Sequence, residues 1–224
     1  MLKKRNPLLI KAGSSAGRNM SLKLYGLGPS RSFRCLWALC EAGLDFSYEA
    51  VVFDKDAENS AHSKEYLSKN IQGKVPTLEH DDFILTESLA IVNYIANLSN
   101  KTFVPSSAKA RAQYDELTSF IVTELEQPLW TNGKHRFALP AEQRVAAILP
   151  TAEFEFAKAV GALDSMINLD NVVIGDDFTF ADIMLAQTIN WADRFEFKIP
   201  SRYLAYRDRM YSRDAALKAL KIIG

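Results

Sequence analysis

Residues 21–98 alternate between two hydrophobic patterns. Apolar residues at every second position, as in SLKLYG (21–26), predict strands, whereas helical spacing, as in RCLWALCEAG (34–43), predicts helices. Gly43 is a favourable residue just past a helix end. In chain order, the predicted elements are strand 21–26, helix 34–43, strand 46–53, a short helix 64–70, a tight hairpin over 75–86 and helix 87–98.

The order of these elements, βαβαββα, is that of a thioredoxin-like α/β domain. From Ala108 onward the pattern changes, because only helical periodicity is found, interrupted at Pro128 and three later prolines. We therefore predict an α/β thioredoxin-like N-terminal domain and an all-α C-terminal helical domain. The predicted boundaries are an extension at 1–20, the α/β domain at 21–101, a polar linker at 99–107 and the helical domain at 108–224.

Charge is distributed unevenly along the 224 residues. Five of the 27 basic residues and no acidic residue lie in 1–20, so the remainder carries 22 basic against 27 acidic residues, a net charge of −5. No basic face of the kind that binds nucleic acid is expected. We interpret residues 1–20 as a disordered extension, or Met20 as the true start, because the run PLLI is too short for a secretory or membrane-spanning segment.

The two cysteines, Cys35 and Cys40, are too few for a secreted disulfide framework, so a cytoplasmic protein is expected. They lie five residues apart on a predicted helix and do not form the C-x-x-C motif of a redox centre. We expect both to be buried and inert. A further helix start is predicted in GDDFTFADIMLAQTI, where Thr179 and Asp182 form a short capping box with a structural role only.

The segment KVPTLEHDDFILTESLAI (74–91) contains two unusual features. Pro76 stands where a strand should begin, and a cis bond there would leave the backbone of Val75 free to pair with an extended peptide. An ordinary trans proline that opens a strand is the alternative. Glu87 and Ser88 stand where the next helix should begin, where they act either as caps or as receptors for an ammonium and a carboxylate.

The loop GLGPSRSFR (26–34) joins the first strand to the first helix. Ser30 lies just before the helix, where free amides favour negative charge. No histidine is nearby in sequence to activate Ser30 as a nucleophile, so its hydroxyl is expected to donate to a bound anion. If that anion is a thiolate, its pKa falls below the usual ~8.5. A plain capping role for Ser30 or Ser32 remains the alternative.

Three segments, and their order along the chain, resemble those of the soluble glutathione transferases. The resemblance covers nearly the whole chain from residue 21. The most specific is GKVPTLEHDDFILTESLAIVNYI, which is similar to the glutathione site of theta-like and other serine-type, bacterial-style members. YGLGPSRSFRCLWAL resembles their first loop and helix, and GDDFTFADIMLA resembles their C-terminal capping segment. The resemblance implies the glutathione transferase fold, with a thioredoxin-like domain followed by a helical domain.

The resemblance also implies roles for individual residues. Ser30, in preference to Ser32, is expected to hydrogen-bond the glutathione sulfur as the catalytic residue. Val75, which precedes the structural cis-type Pro76, is implied to pair by its backbone with the cysteinyl part of glutathione. Glu87 and Ser88 are implied to bind the γ-glutamyl end. Lys74 is implied to approach the glycyl carboxylate, with Gln72 as a weaker candidate. The electrophile is expected to bind between the domains, near Phe33, Trp130 and His135.

The implied activity is conjugation of glutathione to an electrophilic small molecule, a detoxification reaction. Glutathione is the co-substrate, no permanently bound cofactor or metal is expected, and the implied assembly is a homodimer without nucleic-acid or membrane partners. Two alternatives remain: a non-catalytic, glutathione-transferase-like binding or regulatory protein, and a glutathione-dependent isomerase. Isomerases of the maleylacetoacetate type usually carry an SSCS-like loop, which GPSRSFR lacks.

Overall fold

The computed structural model describes residues 21–224, so the predictions made for residues 1–20 lie outside it. No helix within 21–224 is long and apolar enough to cross a membrane. Strands are found only in the first part of this range, before Glu87, and helices make up nearly all of the regular structure after it.

The sheet has four strands in the order β2-β1-β3-β4. Their bounds are β1 Leu22–Gly26, β2 Ser47–Ala50, β3 Thr77–His80 and β4 Phe83–Thr86. β1 runs parallel to β2 and antiparallel to β3, and β3 runs antiparallel to β4. The mixed sheet confirms the predicted thioredoxin-like domain. β2 is shorter than the predicted strand 46–53, because the chain turns away after Val52, which bridges to Ser60.

The α-helices are α1 Ser32–Ala42, α2 Lys64–Lys69, α3 Ser88–Leu98, α4 Ala108–Phe120, α5 Glu126–Gly133, α6 Leu149–Leu163, α7 Phe180–Arg194, α8 Ser201–Tyr211 and α9 Asp214–Ile223. α1 ends as predicted, because Gly43 adopts the left-handed conformation with φ 68°. Two π-helical segments, Ile121–Leu125 and Lys134–Ala138, connect α4 to α5 and extend α5.

The predicted interruption at Pro128 is wrong. Pro128 lies inside α5, in its first turn, and the chain remains helical from Ala108 to Ala138. The π-helical segment directly before α5 changes the hydrogen-bond pattern, since the Glu126 amide donates to the Ile121 carbonyl five residues earlier, and this change accommodates the proline without ending the helix. Pro150 and Pro200 do mark helix starts, since they lie at the beginnings of α6 and α8.

One continuous apolar core joins the sheet to the C-terminal helices. Helix α1 is central to it, since α1 packs against α3 on one side and against α7 and α9 on another. Trp37 on α1 is fully buried and belongs to the same cluster as Leu24 on β1 and Ile183 on α7. The loop that precedes α1 is therefore held between the sheet and the helical region.

The capping box at the start of α7 is confirmed. The Asp182 carboxylate accepts the amide of Thr179 at 2.8 Å, and its other oxygen accepts the amide of Val173 at 2.9 Å and the hydroxyl of Tyr206 at 2.7 Å. Asp182 is fully buried, so this carboxylate fixes the start of α7 and its contact with α8 from inside the core.

Candidate functional site

The strand register brings the three predicted segments to one edge of the sheet. Tyr25 near the end of β1 pairs with Thr77 at the start of β3, and Thr77 pairs with Thr86 at the end of β4. Neighbouring strands lie about 4.8 Å apart. The loop after β1, the Val75–Pro76 peptide before β3 and Glu87 after β4 therefore leave the sheet side by side.

The Val75–Pro76 peptide bond is cis. Pro76 is buried and Val75 is partly exposed. Neither the amide nor the carbonyl of Val75 has a hydrogen-bond partner among residues 21–224. The backbone of Val75 thus presents one donor and one acceptor at the sheet edge, which is what an extended peptide needs to pair with it.

Two buried side chains hold the turn that presents Val75. The Asn70 amide nitrogen donates to the Lys74 carbonyl at 2.7 Å and to the Thr77 hydroxyl at 3.2 Å, while its oxygen accepts the Gln72 amide at 3.1 Å. The Tyr66 hydroxyl donates to the same Lys74 carbonyl at 2.7 Å. These contacts fix the carbonyl directly before Val75 while the side chains of Gln72 and Lys74 remain exposed.

The start of α3 forms the second part of the site. Glu87 is exposed and adopts a positive φ of 73°, which few non-glycine residues do. Ser88 is nearly buried, and its hydroxyl accepts a long hydrogen bond of 3.4 Å from Nη1 of Arg34. The first intrahelical hydrogen bond is donated by the Ile91 amide to the Glu87 carbonyl. The amides of residues 88–90 therefore have no partner within the helix. An anion placed here would meet free amides and a hydroxyl.

The two serines of the first loop have different environments. Ser32 is fully buried, and its hydroxyl oxygen accepts the Leu27 amide at 3.2 Å and the Ser30 hydroxyl at 3.0 Å. A β-carbon on Gly26 would approach that of Ser32 to 2.7 Å, so the two backbones pack without spare room. Ser30 is partly exposed, and its oxygen accepts the Ser32 amide at 3.2 Å. Of the two, only Ser30 is partly exposed, so its proton can turn from Ser32 toward a ligand while its oxygen keeps the hydrogen bond from the Ser32 amide.

Arg34 links the serine loop to α3 and α7. Its guanidinium is fully buried and donates to Gln187 at 2.6 Å and to Thr188 at 2.9 Å, in addition to Ser88. Gln187 in turn donates to the backbone carbonyl of Ser30 at 3.5 Å. The loop that carries Ser30 and the helix that begins at Ser88 are thereby connected through two buried side chains, Arg34 and Gln187.

Glu126 at the start of α5 forms ion pairs with both Arg31 and Arg34. Burial raises the pKa of Glu126, but the two guanidinium groups outweigh this effect, with Arg34 contributing more, and hold the pKa below its ordinary value. The carboxylate is therefore ionised at neutral pH. It anchors the first loop of the α/β region to the helical region.

The candidate electrophile residues are not gathered in one place. Phe33 is 2% exposed and packs on Trp37 and Tyr211, so its ring lies in the core and offers no surface to a ligand. His135 accepts the backbone amide of Val145 at 3.1 Å. Trp130 is partly exposed, and its ring lies against the guanidinium of Arg31. Of the three, Trp130 is the one whose ring is both partly exposed and in contact with a side chain of the serine loop.

The sequence interpretation missed Asn70, Tyr66, Arg34 and Glu126. Asparagine and glycine are residue types typical of turns, so Asn70 and Gly73 gave a usable signal, and the Gly73 amide does donate to the Asn70 carbonyl at 2.9 Å. Nothing in the local pattern pairs Arg34 with Glu126, because the two are 92 positions apart and meet only in the fold.

Neither a metal site nor a redox centre emerges from the described part of the chain. Residues 21–224 contain no cluster of histidine, cysteine and acidic side chains that could hold a metal ion. Cys35 and Cys40 are both free, and burial raises the pKa of each thiol. An open groove of about 590 Å³ lies between the end of α1 and the start of α9, but it contains none of the predicted site residues.

Comparison with known proteins identifies the family. Residues 20–97 match the family model for the N-terminal domain of glutathione S-transferase, and residues 126–214 match the model for its C-terminal domain. Together the two models cover well over half of the chain, which therefore belongs to the glutathione S-transferase family. Glutathione is the substrate used in this family.

Individual relatives are distant. The chain is 26% identical to glutathione S-transferase U21 of Arabidopsis thaliana over 215 residues, which cover 90% of this chain and 92% of the relative. A solved glutathione transferase structure from Methylococcus capsulatus is 27% identical, with a TM-score of 0.76 over 91% of this chain and 98% of that one. Elongation factor 1-gamma of Sus scrofa is 30% identical over 131 residues, which cover 58% of this chain and 29% of that protein.

Proposed function

We propose that this protein is a glutathione transferase that ionises the thiol of glutathione and directs the thiolate at an electrophilic small molecule. The thiol proton passes to solvent, and the sulfur forms a bond to the electrophilic carbon. A leaving group departs with its electron pair, or an activated double bond takes up a proton. The observation that carries the proposal is the strand register, which brings Ser30, Val75 and Glu87 to one edge of the sheet.

Ser30 is the proposed catalytic residue. Its oxygen can keep the hydrogen bond from the Ser32 amide while its proton turns from Ser32 to the glutathione sulfur. A hydroxyl donor at the start of a helix stabilises the thiolate more than the thiol, so it lowers the thiol pKa. Ser32 is fully buried and already occupied by the Leu27 amide, which supports Ser30 over Ser32.

The remaining residues would bind the glutathione peptide. The free amide and carbonyl of Val75 would pair with its cysteinyl backbone. Ser88 and the free amides of α3 would receive the γ-glutamyl carboxylate, and Glu87 would receive the ammonium group. Lys74, whose side chain is exposed, would approach the glycyl carboxylate, with Gln72 beside it. We also expect a homodimer, which light scattering on the purified protein would test.

The alternative function is a non-catalytic binding module, and the similarity to elongation factor 1-gamma keeps it open. Against it, the chain has a serine in the first loop with a partly exposed side chain, which supports a role for Ser30 at a bound sulfur. A protein that only bound glutathione would not need that hydroxyl.

The test combines retention on immobilised glutathione with conjugation of 1-chloro-2,4-dinitrobenzene by the full chain. We expect the wild type to be retained and active, and Ser30→Ala to be retained with kcat reduced about 100-fold, as for loss of one preorganised donor. Ser201→Ala, an exposed serine at the start of α8, is the matched control and should behave as wild type. Retention without turnover by the wild type would favour the binding module, and absence of retention would refute both functions.

A further inference from the structure

Arg31, the residue directly after Ser30, contacts two tryptophans of the helical region. Its guanidinium carbon lies 4.7 Å from the ring centroid of Trp191 on α7 and 5.2 Å from that of Trp130 on α5. Contacts of this kind are attractive and orient the planar group. Since consecutive Cα atoms are about 3.8 Å apart, Arg31 is within one side-chain length of the position proposed for the sulfur.

The charges around Arg31 do not cancel. The Nε atom of Arg31 pairs with the Glu126 carboxylate, but Glu126 also pairs with Arg34. Arg34 is fully buried, so its charge depends on Glu126, because a buried ion without a partner is very costly. One carboxylate therefore faces two guanidinium groups, and the excess positive charge belongs to Arg31, whose side chain is 30% exposed.

The terminal nitrogens of Arg31 are available. Only the Nε atom has a hydrogen-bond partner among residues 21–224. Neither Nη1 nor Nη2 is among the buried polar atoms that lack a partner in this part of the chain, so both reach solvent. A guanidinium that is oriented by two rings and has both terminal nitrogens open is suited to receive a planar anion.

We propose that Arg31 is a specificity-determining residue that selects electrophiles carrying a carboxylate. The proposal rests on the proposed function, since it places the electrophile between the sulfur at Ser30 and the guanidinium of Arg31. The carboxylate would be held by Nη1 and Nη2, with the reactive carbon pointing to the sulfur. Neutral electrophiles would still react but would lack this contact.

The test compares two electrophiles with the same reacting centre, 4-chloro-3,5-dinitrobenzoate and its methyl ester. In both, the glutathione thiolate forms a bond to the carbon that bears chlorine, and chloride leaves with the bonding electrons. The measurement is kcat/KM for each compound divided by its uncatalysed rate, and the ratio of acid to ester is the readout. Arg31→Gln is neutral, and Arg31→Lys keeps the positive charge without the two terminal guanidinium nitrogens. The control is Arg111→Gln, which replaces an exposed arginine on α4.

We expect Arg31→Gln to lower the acid-to-ester ratio about tenfold or more, as for loss of a charge-assisted hydrogen bond. Arg31→Lys should give an intermediate ratio and Arg111→Gln the wild-type ratio. Added salt should lower the ratio in wild type and leave it unchanged in Arg31→Gln. If the ratio does not change in Arg31→Gln while the ester is still conjugated, the inference is wrong and the proposed function stands. If wild type conjugates 1-chloro-2,4-dinitrobenzene but neither of these compounds, the inference is wrong and the proposed function stands. If it conjugates none of the three, both are wrong.

Discussion

The Glu126 carboxylate at the start of α5 is shared by Arg31, which directly precedes α1, and Arg34, which lies in the first turn of α1. This arrangement places one buried acid of the helical region against two bases of the loop and helix that follow β1. Arg34 also holds Ser88 and, through Gln187, the carbonyl of Ser30. Through Arg34, Glu126 therefore supports the proposed glutathione site.

Replacement of Glu126 should be strongly destabilising. Glu126→Gln leaves the fully buried Arg34 without a counter-charge, and breaking a buried pair in this way costs about 3–5 kcal/mol of the free energy of unfolding. Urea unfolding at fixed protein concentration measures the loss. Glu124→Gln, an exposed neighbour, should stay within about 0.5 kcal/mol of wild type. A loss of less than about 1 kcal/mol in Glu126→Gln would show that Arg34 does not depend on this carboxylate.

The same carboxylate predicts the direction of a pH effect. Because the two arginines outweigh burial and lower the pKa of Glu126 below its ordinary value of 4.5, the unfolded state takes up a proton first as the pH falls. The contribution of Glu126 to stability is thus fully present above that value and is lost as the pH falls through the lowered folded-state pKa. The stability difference between wild type and Glu126→Gln should be constant near neutral pH and shrink in acid. A difference that grows in acid would contradict the assignment.

Substitutions of Ser30 and Ser32 should affect catalytic activity and stability to different extents. Ser32→Ala removes the buried acceptor of the Leu27 amide and should cost about 1–2 kcal/mol of the free energy of unfolding. Ser30→Ala should cost less stability but much more activity, because Ser30 is partly exposed and proposed to contact the sulfur. Urea unfolding and conjugation rates of both variants give the comparison. If Ser32→Ala instead caused the larger loss of kcat, the catalytic role would move to Ser32.

The features of the fold that the sequence predicts correctly depend on residues close together in the chain. The order of strands and helices, the end of α1 at Gly43 and the capping box at Thr179 follow from short-range patterns, and the structure confirms them. The break predicted at Pro128 is wrong, because a π-helical turn directly before α5 changes the hydrogen-bond pattern there and the helix continues past the proline.

Long-range relations were not accessible from a single sequence. Helical spacing places Phe33 on one face of α1, but whether that face meets a ligand or the core depends on α8, which brings Tyr211 against it. The partners of Arg34 lie on α3, α5 and α7, so its role depends on how these helices pack. Such contacts have no signature in the spacing of residues along the chain.

Asn70 should control glutathione affinity through the position of Val75. Asn70→Asp replaces the amide donor with a carboxylate oxygen that faces the Lys74 carbonyl, so an attraction at 2.7 Å becomes a repulsion. We expect the KM for glutathione to rise about tenfold, as for loss of one charged or buried contact, with a smaller change in kcat. Asn97→Asp, an exposed position on α3, is the control. An unchanged KM would show that the turn does not position the peptide-binding backbone.

Substitution of Asp182, which lies far in sequence from the proposed site, should also lower stability. Its two oxygens receive four donors: the Thr179 amide and hydroxyl, the Val173 amide and the Tyr206 hydroxyl. Asp182→Asn has the same shape but one acceptor oxygen, so two of these buried donors would face an amide group that also donates. Each unsatisfied group costs about 1–3 kcal/mol, and the variant should lose at least about 2 kcal/mol of the free energy of unfolding. Asp177→Asn, an exposed acid before the same helix, should lose almost none. If Asp182→Asn unfolded at the same urea concentration as Asp177→Asn, the carboxylate would not be what holds the start of α7.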